Sequence, residues 1–188
     1  MNITLDEKDG KLIIQIPPSA EKAREELKAL GAKWNPAATS WELSTATRSK
    51  VADVLWRHFG GYNTYMRDGY AVTVKAIEDV SAGCRAISFF GREIIMGRGR
   101  DSGARPGTDV LILDGKVSTG GSVRYWETRA SKGTVVRVEN LDVEAIKNDD
   151  GTLNIPSYWE LVSVDPPKEP DTTPYYVKKV LEGIERLN

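Results

Sequence analysis

The hydrophobic period of the chain changes once, near residue 61, and that change limits the fold more than any other feature. Before Gly60-Gly61, apolar residues recur at helical spacing: Ala20, Ala23, Leu27 and Leu30, then Val51, Val54, Leu55 and Phe59. From Tyr62 onward they alternate, as on strands with one buried face. Short helices at one end and strands through the rest point to an α+β protein. The expected form is a small N-terminal ββαββα module (residues 1–61), an antiparallel β sandwich or barrel (62–164), and a Pro-rich acidic linker with a short C-terminal helix (165–188).

Local signals fill in this outline. Ile3 to Leu5 and Lys11 to Ile16 read as strands joined at Asp9-Gly10, and Pro17-Pro18 closes the second. Ser19 is read as the N-cap of the first helix, and Gly31 as its left-handed terminator. Trp34 and Trp41 fall in two extended pieces, with Asn35-Pro36 opening the turn between them; a second helix spans about 47–59. Further strands are expected at 70–77, 84–90, 92–96, 109–113, 116–118, 122–129, 134–139 and 158–164; 84–90 and 92–96 are two strands, or one long bent strand with Gly91 as a bulge. Residues 165–174 hold four Pro and three acids, a linker composition; Val177, Val180, Leu181 and Ile184 then make a short helical stripe.

Charge is uneven. Residues 1–61 carry +1, residues 62–139 carry +3 and residues 140–188 carry −5. The basic residues of the middle third are mostly Arg, which favours planar partners such as phosphate and carboxylate. One cysteine, Cys84, permits neither an internal disulfide nor a multi-cysteine metal site, and it reads as a core residue. His58, the only histidine, suits the last turn of its helix better than catalysis. No apolar run reaches membrane-spanning length, and the charged, alternating start has no signal-peptide layout, so the expected location is the cytoplasm. No cofactor or metal is implied, and the reading leans away from an enzyme.

Three stretches offer chemistry. In the first, Trp34 and Trp41 are read either as base-stacking rings, with Lys33, Arg48 and Lys50 on phosphates, or as anchors of a small core. The second, Gly91 to Arg105, carries Arg92, Arg98, Arg100 and Arg105 with glycines that let a backbone approach a ligand; the alternative is a solvated loop whose Arg residues pair with Glu93, Asp101 and Asp109. The third, Arg124-Tyr125-Trp126 with Arg129, is either a basic–aromatic platform or a half-buried strand with amphipathic Arg stems.

The sequence Leu30-Gly-Ala-Lys-Trp34, Asn35-Pro36, a spacer, then Ser40-Trp-Glu-Leu43 resembles the short "GAKWD…W" module of the DUF5710 type, over roughly residues 12–59. It is similar, more distantly, to the HARP domain of annealing helicases. Asn35 stands where that pattern usually has Asp. The module recurs in plasmid- and phage-associated proteins, so the resemblance implies a link to DNA, ahead of RNA, or to mobile elements. Three functions are expected in order: a non-enzymatic nucleic-acid-binding accessory protein; a protein-binding inhibitor of a host defence nuclease such as a CRISPR effector; a metal-assisted nuclease.

Overall fold

A computed structural model describes residues 2–167. It is a mixed α+β structure whose sheets are antiparallel throughout. The expected helix over Val177–Ile184 lies outside the described residues, as does most of the expected linker.

The first sheet is built from β1 (Thr4–Lys8), β2 (Lys11–Gln15), β3 (Lys33–Asn35) and β4 (Ser40–Ser44), in the spatial order β1-β2-β4-β3. Asp9 and Gly10 both take positive φ, which is the two-residue hairpin turn that matches strand twist. Helices α1 (Glu21–Ala29) and α2 (Arg48–Phe59) cover one face. Helix α1 ends as its sequence requires: Gly31 sits at φ 98°, its N–H donates to Lys28 O, and the Ala32 N–H donates to Leu27 O. Its start corrects the sequence reading. Ala20, not Ser19, holds the N-cap position, and no side chain caps it; the Ser19 carbonyl accepts from Glu21 N–H instead. Ile3, Leu5, Leu12, Ile14, Leu27, Val51 and Leu55 are among the residues this layer buries almost completely.

The rest of the chain surrounds a second core. One four-stranded sheet has the order β10-β13-β5-β14, from β10 (Val110–Asp114), β13 (Val135–Leu141), β5 (Tyr65–Ala76) and β14 (Trp159–Asp165). A three-stranded sheet joins β11 (Val117–Gly121), β12 (Trp126–Ala130) and β6 (Val80–Gly83). Another joins β7 (Ile87–Phe89), β8 (Arg92–Met96) and β9 (Arg105–Pro106). Val72, Val74, Phe89, Ile94, Val136 and Trp159, from several of these strands, meet in one apolar cluster. The two cores are tied by main-chain hydrogen bonds, Ile3 N–H to Gly91 O and Gly91 N–H to Phe59 O, and by the Asn63 amide, which both accepts from Leu5 N–H and donates to Leu5 O.

Several strand limits differ from expectation for local reasons. The strand expected over 84–90 is shortened to β7, because Cys84 takes φ 51° in a turn after β6. Cys84 is therefore exposed rather than in the core. Gly91 is not a bulge; Phe90 and Gly91 both take positive φ and form a two-residue hairpin turn between β7 and β8. The strand expected from Ser122 begins only at Trp126, since Ser122 to Tyr125 form the hairpin tip, closed by Ser122 N–H to Tyr125 O. Gly120 and Gly121 are paired strand residues of β11.

Candidate nucleic-acid interface

Strand order decides what the two tryptophans do. Trp34 lies opposite Trp41 in the β3–β4 ladder, so both rings face the helix side of the sheet. Trp41 is on an inner strand and is 7% exposed; Trp34 is on the edge strand, past the helical cover, and is 49% exposed. Their centroids are 5.3 Å apart with a 56° tilt, and the Lys28 ammonium lies 5.5 Å from the Trp41 centroid. One ring is therefore a core anchor and props the other, which presents its face to solvent.

The open ring borders a groove of about 560 Å³ lined by Ile16, Pro18, Arg24, Lys28, Ala32 and the two tryptophans. Arg24 and Lys28 are four residues apart on α1, hence on one side of the helix. Neither forms an ion pair among the described residues, and no carboxylate lines the groove. The Arg24 Nε is buried without a hydrogen-bond partner among the described residues. The turn that aims Trp34 is braced from within: Asn35 Oδ1 accepts from the N–H groups of Ala37 and Ala38 at 3.0 and 3.1 Å. The Asn35 amide also donates to Glu42, which takes a second bond from Lys11 at 2.9 Å. These two donors, the Asn35 amide foremost, hold the Glu42 carboxyl below its ordinary value.

The expected basic companions of Trp34 are placed elsewhere. Lys33 pairs with Glu42 in the ladder and so faces away from both rings. Arg48 lies 3.6 Å from Glu7 at the β1 side, the opposite edge of the sheet from β3. Lys50 is exposed on α2. Sequence reading missed Arg24 and Lys28; their i, i+4 spacing beside the buried Ala23 and Leu27 was the available signal.

The Arg-bearing strands do not form one basic face. Arg92, expected at the surface, is 1% exposed. Its guanidinium donates to Glu139 O at 2.7 Å, Thr64 O at 3.3 Å and Asn140 O, lies 4.0 Å from Asp109, and sits 5.5 Å from the Tyr65 ring centroid. Burial pulls it down to about 10, against the opposing pull of Asp109, so it stays cationic at neutral pH. It is a structural cross-link and not a contact for a ligand. Arg100 is paired with Asp101 at 2.9 Å and Arg129 with Glu127 at 3.0 Å. Arg98 and Arg105 are exposed beside a small pocket of about 240 Å³, with no ion pair among the described residues. Arg124 stacks on Tyr125, 5.4 Å from its centroid, at the β11–β12 tip. Trp126 turns the other way, toward Gly97. A Cβ on Gly97 would lie 2.6 Å from Thr128 Oγ1 and 3.2 Å from the Trp126 ring. The close backbone approach expected of these glycines thus serves the protein's own sheet at Gly97.

Among the described residues no three His, Cys, Asp or Glu side chains gather as a metal-ligand set. No helix there is long and apolar enough to cross a membrane. Compared with family models, curated proteins and solved structures, the chain matches none.

Proposed function

We propose that the chain is a non-enzymatic nucleic-acid-binding accessory protein that holds a single strand on its N-terminal sheet. Trp34 stacks on a base, while Arg24 and Lys28 meet the flanking phosphates. The observation that carries this reading is the half-exposed Trp34 ring, propped by Trp41, in a groove with two cations and no acid. The resemblance of residues 12–59 to a module of phage and plasmid proteins supports the same reading, with DNA ahead of RNA as partner and the cytoplasm as location. Fluorescence anisotropy with a labelled oligothymidylate tests it: binding that falls with added salt and with loss of the Trp34 ring is the expected result, and no binding at low salt refutes it.

A second reading is supported by the β11–β12 tip, where Val123 is 74% and Tyr125 66% exposed beside Arg124. Tyr and Arg next to an apolar side chain are the composition of a protein-binding anchor, as an inhibitor of a defence nuclease such as a CRISPR effector requires. Loss of affinity for that nuclease on Tyr125→Ala, with oligonucleotide binding unchanged, separates this reading from the first. The nuclease reading has no comparable observation behind it.

A further inference from the structure

The two cores leave a cleft of about 320 Å³ between them, on the other side of α1 from the Trp34 groove. Ala20 and Ala23 of α1 line the cleft, whereas Arg24 and Lys28 line the groove. The cleft is lined by basic side chains and no carboxylate. Arg57, His58 and Arg85 contribute to its wall and no Asp or Glu does, in a chain whose net charge is −1. Arg57 and His58 are partly compensated by Glu26, just outside the wall, which takes bonds from them at 2.9 and 2.8 Å. Arg85 has no acidic partner among the described residues.

Neutral donors complete the set. Neither the Tyr158 hydroxyl nor the Asn154 amide makes a hydrogen bond among the described residues, and both side chains lie half-buried in the cleft wall. Asn154 Nδ2 reaches to 3.3 Å from where a Cβ on Gly60 would stand, so the left-handed Gly60 at the end of α2 keeps room for that amide. Burial raises the Tyr158 phenol above its ordinary value, against a smaller opposing electrostatic effect of Arg85. Two half-buried donors without protein partners, beside an exposed and unpaired guanidinium, leave donors free to meet a ligand's oxygens. A carboxylate offers two oxygens; a phosphate monoester offers three terminal ones and more negative charge, which suits a guanidinium fork with an amide and a hydroxyl around it. Trp56 adds an aromatic wall for whatever ring the phosphate carries.

We infer that this cleft binds a phosphate monoester, with Arg85 as its principal charge partner and Asn154 and Tyr158 as further donors. The inference is independent of the Trp34 groove. The same chemistry has two sources, a free mononucleotide or the 5′-phosphorylated end of a nucleic-acid strand.

The test uses the full chain carrying Trp34→Leu, so that the groove is disabled and only the cleft is read. Binding of AMP and of adenosine is followed by calorimetry, as is that of a short single-stranded oligonucleotide bearing either a 5′-phosphate or a 5′-hydroxyl. The expected result is about tenfold or more tighter binding of at least one phosphorylated probe than of its unphosphorylated twin, lost in Arg85→Ala and partly restored in Arg85→Lys. Preference confined to AMP assigns the free nucleotide; preference confined to the oligonucleotide assigns the strand end. Arg85 is exposed, so a far-ultraviolet spectrum matching the parent is expected of both variants. Equal binding of each pair of twins, or an Arg85→Ala variant that binds as the parent does, overturns the inference whatever the groove does.

Discussion

Trp34→Leu separates stacking from folding. Trp34 buries about half of a surface that Trp41 buries almost entirely. Removing the ring of a fully buried Trp costs about 3–5 kcal/mol, so truncating Trp41 to Ala should cost that much, and truncating Trp34 about half. Leucine keeps an apolar body against Trp41 and suits an edge strand tolerably, so Trp34→Leu should lower stability by only about 1 kcal/mol. It removes the π-face altogether. Loss of one base–aromatic stack is worth about 1–3 kcal/mol, or roughly 5- to 150-fold in Kd. Trp34→Phe keeps a face and should lose less. Urea denaturation gives the first quantity and anisotropy with labelled oligothymidylate the second, on the same preparations. A Trp34→Leu protein that binds as tightly as the parent refutes the reasoning. So does one whose loss of affinity is fully accounted for by its unfolded fraction in the urea melt, because the ring would then be only a structural part.

Charge reversal locates the site. Arg24→Glu with Lys28→Glu should weaken oligonucleotide binding and lower the slope of log affinity against log salt by about one per lost contact, whereas Arg98→Glu with Arg105→Glu should leave both nearly unchanged; the reverse pattern returns the site to the Arg-bearing strands. Arg92→Met should cost about 3 kcal/mol in a urea melt, since three carbonyls, one of them fully buried, lose their donor. Gly107→Ala should prevent native folding or lower its midpoint sharply, because the new Cβ would fall 1.9 Å from the Glu93 carbonyl oxygen, which is backbone and has nowhere to move. Glu26 is held below its ordinary 4.5 chiefly by the hydrogen bond from His58, with Arg57 adding to it. A depressed carboxylate contributes stability that is present above 4.5 and is lost as pH falls below it, so thermal melts should show an acid-side decline that Glu26→Gln makes shallower.

What the sequence could and could not convey follows from how far each feature reaches along the chain. Gly31 and Asp9-Gly10 were readable because a left-handed backbone position is set by a residue and its immediate neighbours, and glycine advertises it. Cys84 and Phe90 also take positive φ, but a side chain that pays for that conformation through tertiary packing leaves no local mark. Arg92 was misread for a related reason. Strand β8 is buried from Arg92 through Ile95, on both its faces, so the alternation that would tell inside from outside is absent, and an arginine is taken for a surface cation. The carbonyls it serves lie 28 to 48 residues away. The tryptophans show the limit most sharply. Their ladder pairing is a local hairpin property and was open to inspection. Which of the two is exposed depends on the order β1-β2-β4-β3, because β2 arrives from some thirty residues upstream to take the inner side of β4 and leaves β3 at the edge. The same event that buries Trp41 therefore exposes Trp34. In a chain whose Trp56, Trp126 and Trp159 are replaced by Phe, a substitution that blocks β2–β4 pairing, such as Ile14→Pro, should bring both remaining rings to equal acrylamide quenching, and persistence of one protected and one open ring would show that the hairpin alone sets their difference.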